Sequence, residues 1–289
     1  MGNVRDWIRI TFLLFPCFFF CANVAHSLSI HSKKELSESR SLERLSLEEA
    51  NAKIALLRAH QKIKSCKISF DFIHREKNST KLTITQGVLL VASFNQKIFK
   101  RLFLIDQEGS ILVDYIFHEG DQSKAWKRLG GQSTFALIDE SEMFSQFSND
   151  ILFRPVDVLM PYVHWDKFTY EGPRTYGISS VIQNYIFSVE NAPGFTSNGI
   201  SSVRVSIDSK YNSVRKIEYL NDTKILNELT VSGVKKFENL WIISRLVFKE
   251  KNNKTIFKVK QANVLPEDEA LLFFDPSYGK DENIILFFD

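Results

Sequence analysis

Few side chains in this 289-residue chain are suited by type to chemistry, and their spacing does not gather them. Of the three cysteines, Cys17 and Cys21 fall in an N-terminal apolar run, which leaves Cys66. A lone thiol with no base placed beside it by any motif reads as a small buried hydrophobe, and it cannot form an intramolecular disulfide with the rest of the chain. The six histidines (His26, His31, His60, His74, His118 and His164) form no H-x-x-x-H pair, so no metal site is expected. The carboxylate runs Glu48-Glu49 and Glu267-Asp268-Glu269 suit the first turns of helices, where they complement the exposed N–H groups, better than acid–base work. The chain has no G-x-S-x-G elbow, phosphate-binding loop or G-x-G-x-x-G turn. The reading is a protein that is not an enzyme and needs no cofactor.

The composition points to burial instead. With 37 basic and 34 acidic residues the net charge is +3, too small to build a field for nucleic acid. The 25 phenylalanines must be buried in a core or line an apolar cavity. The chemistry to expect is therefore non-covalent: a concave apolar surface that shelters an apolar ligand from water.

The elements that would build such a surface are legible in the periodicity. Arg5 and Arg9, the apolar run 10–22 and the small residues Ala25 and Ser27 follow the order of a secretory signal, so residues 1–27 are expected to be one, cleaved on export. The run is short for a membrane span and holds Pro16. Lipidation at Cys21 is the alternative, although Phe20 stands where lipoprotein signals carry a small residue. Residues 28–45 are serine-rich and charged, without apolar period, and read as a polar leader or tether. A single domain is expected over 46–289. It opens with a capping box at Ser46 and Glu49, followed by an apolar stripe at Leu47, Ala50, Ile54 and Leu57 that predicts a helix to about residue 63.

After residue 65 the period changes to two. Ile68, Phe70 and Phe72 alternate with polar residues, as do Leu82, Ile84, Val88 and Leu90, and further runs follow at 98–105, 111–118 and 123–129. Residues 139–149 break the series with Met143, Phe144 and Phe147 at helical spacing, predicting one short helix. Residues 153–165 are expected to be irregular. Strands are then expected at 177–190, 202–208, 213–220, 225–237, 241–249 and 255–263, a short helix at Pro266, and a last strand at 284–288. Short polar turns between short strands argue for antiparallel meanders rather than βαβ units.

Three stretches carry a family resemblance. Asp157-Val158-Leu159-Met160-Pro161 to Trp165, with Tyr170-Glu171-Gly172, resembles the middle of the LolA-like outer-membrane lipoprotein-sorting proteins. Val203-Arg204-Val205-Ser206-Ile207-Asp208 with Tyr211, and Val231-Ser232-Gly233 with Leu240-Trp241, resemble two of that family's hairpins, with Ser206 in place of an aromatic. The resemblance implies a mainly β (α+β) fold: a large antiparallel curved sheet forming an unclosed half-barrel, with an N-terminal helix and short helices as lids on its concave face. It further implies a periplasmic carrier whose cavity takes acyl chains of lipoproteins or other lipids and passes them to an acceptor at the outer membrane. A sensor domain of the same fold and, more remotely, an envelope lipid hydrolase are the alternatives. The cavity or lid residues expected on this basis are Phe70, Phe72, Leu82, Ile84, Leu102, Leu104, Phe144 and Phe147.

Overall fold

The computed structural model describes residues 42–58, 65–76, 82–94, 97–120, 123–177, 180–190, 192–237, 240–265 and 271–277. The proposed signal, most of the leader, the expected helix at Pro266 and the tail strand at 284–288 lie outside them. Among the described residues no helix is long and apolar enough to cross a membrane.

Among the described residues thirteen strands form one antiparallel sheet. In chain order they are β1 Cys66–Arg75, β2 Leu82–Phe94, β3 Lys97–Ile105, β4 Ile111–Glu119, β5 Lys124–Leu129, β6 Ala136–Leu137, β7 Phe168–Tyr176, β8 Ser180–Ser188, β9 Ser202–Asp208, β10 Val214–Asn221, β11 Lys224–Phe237, β12 Leu240–Glu250 and β13 Asn253–Val264. Their spatial order is β6-β5-β4-β3-β2-β1-β13-β12-β11-β10-β9-β8-β7. Two meanders are thus joined back to back by the β1–β13 ladder, which runs from Cys66↔Val264 to Arg75↔Lys254 with a bulge at Ser69/Phe70. Strands β6 and β7 end the sheet and do not pair with each other, so the barrel is not closed.

Period-two burial gives the sheet an inner and an outer face. In β1 Cys66, Ile68, Phe70, Phe72 and His74 are buried while the alternate positions are more exposed. The inner face is covered by helix α1 (Leu47–Arg58), which buries Ala50, Ile54 and Leu57. Its capping box forms as expected: Glu49 N donates to Ser46 Oγ at 3.2 Å and Ser46 N to Glu49 Oε2 at 2.8 Å. Leu47, taken as part of the stripe, is instead 70% exposed in the first turn, where the helix has not yet reached the sheet. The helix's expected extension to 63 lies outside the described residues.

On the outer face a smaller apolar cluster of Val88, Leu90, Ala92 and Phe103 is covered by Phe274, from the 3₁₀ turn Leu271–Phe274. Arg101 ties this cover down, donating to Phe273 O at 2.7 Å while its guanidinium also pairs with Asp114.

Three departures from the sequence expectation concern the middle of the chain. Residues 139–149 hold a single 3₁₀ turn, Glu142–Phe144, rather than a helix; Asp139 Oδ1 accepts the Glu142 N–H at 2.8 Å and the chain then turns away. Residues 153–165 are not irregular but contain helix α2 (Pro155–Leu159) and the 3₁₀ turn Pro161–His164. Strand β7 was not expected, because Gly172 at φ 114° and Pro173 interrupt its alternation; both are tolerated at an edge. A short helix α3, Pro193–Ser197, also follows β8.

Where β2 crosses β1, Gly87 lies opposite Phe70. A Cβ there would stand 2.3 Å from Phe70 Cζ and 2.8 Å from the Phe103 carbonyl oxygen. Gly87→Ala is expected to cost roughly 1–3 kcal/mol through overpacking, measured as a lower urea midpoint with an unchanged m-value.

Candidate functional site

The inner face is apolar, and the segment 138–165 lies in it as a plug. Phe144, Phe147, Ile151, Leu152, Phe153 and Val156 are buried there in one cluster with Phe70, Phe72, Leu102 and Leu104. The rings interlock: Phe72 lies 5.0 Å from Phe153 and 6.3 Å from Phe147, Tyr115 4.9 Å from Phe147, and Phe144 4.8 Å edge-to-face from Phe195. Six of the eight residues singled out from the sequence therefore meet on one face.

Leu82 and Ile84 do not join them. They are 53% and 51% exposed, and pair across the ladder with Arg75 and Ile73, the side of β1 opposite Phe70 and Phe72. Thr83, Thr85, Gly87, Leu89 and Val91 are the β2 residues opposite the inner-facing residues of β1. Alternation groups the residues of a strand but does not say which group is inside; the cross-strand partner does.

Buried polar groups clasp the plug from several strands. The Asp157 carboxylate accepts from Arg154 N at 2.9 Å and, through its other oxygen, from the Tyr219 hydroxyl of β10 at 2.6 Å. Arg154 Nε lies 3.3 Å from the same carboxylate, and its guanidinium sits over the rings of Tyr219 and Phe248. Burial pushes the Asp157 acid up, and Arg154, Tyr219 and the backbone N–H pull against it. Leu152 N donates to Thr255 Oγ1, which also meets His74 Nδ1. From α1, Arg58 donates to the carbonyls of Val163 at 2.8 Å and Trp165 at 2.5 Å. Between α2 and the next turn, buried Met160 holds φ 47°, a conformation that costs a non-glycine residue energy and is kept only because its surroundings fix it.

Another clasp is ionic. Lys100 of β3 donates to Val158 O at 2.8 Å and pairs with Glu119 of β4 at 2.5 Å, both side chains fully buried. His164 Nε2 stands 3.6 Å from the other oxygen of Glu119. Burial alone would raise the Glu119 acid, but the Lys100 charge and the hydrogen bonds from His164 and Lys100 outweigh it and hold the group down at about 2.

At the end of the plug the structure opens into a cleft of about 770 Å³. Its walls come from the β4–β5 turn (Gly120, Ser123), the plug's exit (Pro161, His164, Trp165, Asp166, Lys167) and the segment after β8 (Ser188, Glu190, Ala192). This cleft and the buried Lys100, Glu119, Arg154 and Asp157 were missed by sequence reasoning. A signal existed: Lys100 and Arg101 interrupt an otherwise apolar strand, and Asp114 and Glu119 do the same in the next.

The other candidate chemical groups stay apart. Cys66 is buried, which pushes its thiol up to about 12 and makes it a poor nucleophile. His118 is lowered by burial and sits between Phe99 and Trp126. Among the described residues no group of three or more His, Cys, Asp or Glu is placed to hold a metal ion.

Two sets of variants probe the clasps. The unfolded value for Glu119 is near 4.5 and its folded value about 2, so its stabilising contribution is complete above pH 4.5 and lost as pH falls towards 2. Glu119→Gln leaves the buried Lys100 without its counter-charge; it is expected to cost roughly 3–5 kcal/mol near neutrality and to flatten that acid limb in urea titrations at stepped pH. Tyr219→Phe is expected to cost about 1–3 kcal/mol, since it strips a donor from buried Asp157. The buried Tyr185 hydroxyl, by contrast, has no hydrogen-bond partner among the described residues, so Tyr185→Phe should be neutral or stabilising in the same melts.

No family model and no curated protein matches this sequence. Solved structures do match. A DUF1329 family protein from Desulfovibrio piger superposes with a TM-score of 0.65 at 10% identity, over 80% of this chain and 98% of that one. An outer membrane lipoprotein-sorting protein domain from Vibrio parahaemolyticus gives 0.61 at 14% identity, over 78% and 95%. A LolA superfamily protein from Nitrosomonas europaea gives 0.55 at 8% identity, over 79% and 98%. Agreement over nearly the whole of each relative, at identities this low, is agreement of fold: the chain has the unclosed antiparallel half-barrel of the LolA-like lipoprotein-sorting proteins.

Proposed function

We propose that this protein is an exported, periplasmic carrier that binds acyl chains of lipoproteins or other lipids between its sheet and its plug, for transfer to the outer membrane. In this reading residues 1–27 are a signal peptide removed on export, the protein is not an enzyme, and its partners are the lipid cargo and an envelope acceptor. The observation that carries it is the plug: the apolar inner face is filled by the chain's own aromatic side chains, on a segment whose only regular elements are short turns and a five-residue helix. That segment ends at an open cleft. The lipoprotein-sorting domain among the fold relatives adds support by analogy of architecture.

The energetics are compatible with exchange. Burying one methylene is worth about 0.8 kcal/mol, so a dozen supply roughly 10 kcal/mol. Displacing two phenylalanines such as Phe144 and Phe147 from the core costs about 1.5–3 kcal/mol each. The cargo can therefore replace the outer part of the plug and still leave a surplus, while the polar clasps at Asp157 and Lys100 draw the segment back on release. Phe70, Phe72, Leu102 and Leu104 form the wall against which the chains lie, and Phe144 and Phe147 the part that moves.

Mass spectrometry of a solvent extract from the exported full-length protein should find co-purified acyl chains. The delipidated protein should take up a fluorescent fatty acid, and Phe144→Ala with Phe147→Ala should raise that uptake by opening space. A protein that arrives empty and takes up no fatty acid in either form would overturn the carrier.

A further inference from the structure

The geometry of the cleft points to a headgroup subsite: it takes the zwitterionic aminophosphate headgroup of a phospholipid whose acyl chains lie along the inner face. This rests on the carrier reading and adds which lipid class the mouth selects. At about 770 Å³ the cleft has the size of a small-molecule site, and its walls are drawn from both meanders as well as the plug. It adjoins the segment whose next residues inward, Tyr162 and Val163, are buried in the apolar cluster. A lipid with its chains among those residues would have its polar end here.

The lining carries both charges. Asp166 and Glu190 offer exposed carboxylates and Lys167 an exposed ammonium; Asp166 also feels the Arg58 charge, and the His164 imidazole is turned to Glu119. A purely anionic headgroup would meet the two carboxylates, and a purely cationic one would leave Lys167 unmatched. An ammonium and a phosphate on one ligand would match both sets, the ammonium against Asp166, Glu190 and the Trp165 ring and the phosphate against Lys167.

Trp165 is set in advance for this role. Its indole is held edge-to-face by Phe195 at 5.1 Å and lies 6.3 Å from Tyr162, and its carbonyl is held by Arg58. Opposite, Ser123 Oγ donates to Gly120 O at 2.9 Å, joining the two residues of the other wall. A side chain held in place beforehand lowers the ordering cost of binding a small polar group.

The test uses the delipidated full-length exported protein. It is titrated with dihexanoyl phosphatidylethanolamine, with phosphatidylglycerol of the same chains, and with free glycerophosphoethanolamine, followed by calorimetry; fluorescent fatty-acid uptake runs in parallel. Exposed charge pairs contribute modestly, so phosphatidylethanolamine should bind roughly tenfold more tightly than phosphatidylglycerol. The D166N/E190Q double variant should erase that preference by weakening phosphatidylethanolamine alone, and free glycerophosphoethanolamine should compete weakly for the same site. Equal affinities, or tighter phosphatidylglycerol, with fatty-acid uptake intact would overturn the headgroup subsite and leave the carrier standing. Free glycerophosphoethanolamine binding as tightly as the lipid would overturn it in favour of a soluble ligand. No binding of any lipid or fatty acid would remove the carrier and the subsite together.

Discussion

Strand β1 pairs on one side with its sequence neighbour β2 and on the other with β13, from the far end of the described chain, and everything else in the architecture hangs on that second ladder. Each meander alone is a local structure of hairpins. Joined at β1 and β13, their inner faces become one surface, and their last strands, β6 and β7, become the two free edges. The ring cluster of Phe70, Phe72 and Phe257 sits across this seam, with centroids 4.5–5.7 Å apart. Closing so long a loop carries an entropic cost that the contacts across this ladder must offset, and Gly87 leaves the room that the Phe70 ring occupies over β2.

The two faces handle charge differently. Outside, Glu171, Arg204, Glu218, Lys216, Glu228 and Lys249 alternate in sign across β7 and β9 to β12 at separations of 2.6–3.1 Å, a partly hydrated ladder whose individual pairs contribute little. Inside, Lys100–Glu119 and Arg154–Asp157 are buried, where desolvation consumes most of the Coulombic gain. Apolar residues of the same volume would hold the plug at least as firmly. What the ion pairs supply is position: each tolerates one arrangement of Val158, His164 or Tyr219 and is costly in any other. On the proposed carrier reading, a segment that leaves and returns to a single place is better served by such contacts than by interchangeable apolar ones.

Much of this was legible in the sequence, and the failures share a cause. The capping box at Ser46 and Glu49, the alternation in β1 and most strand limits in the second half are local patterns, and they appear as expected. Leu82 and Ile84 were assigned to the wrong face because their phase is set by pairing with β1, where they lie opposite Arg75 and Ile73, and that partner strand is outside their own segment. Strand β7 was hidden by Gly172 and Pro173, residues that an edge accepts and a central strand does not. Helix α2 was overlooked although Pro155 stands at its first turn and Asp157 reaches back to Arg154 N, since five residues carry too little periodicity to register. The cleft belongs to three separate segments and has no linear signature at all.

The residues just before α1 are bonded to the sheet. Arg44 donates to the carbonyls of Glu171 at 3.0 Å and Tyr170 at 3.3 Å, and Leu45 N to the Tyr170 hydroxyl, which itself donates to Gln183. Gly172 leaves just enough room, for a Cβ there would stand 2.7 Å from the guanidinium. These carbonyls lie on β7, a nine-residue border strand, whereas the opposite border, β6, has two residues. A long unpaired border is where a second molecule would add its own strand and start a fibre. Arg44 sets a charge on that border, the kind of feature by which exposed sheet edges discourage such pairing.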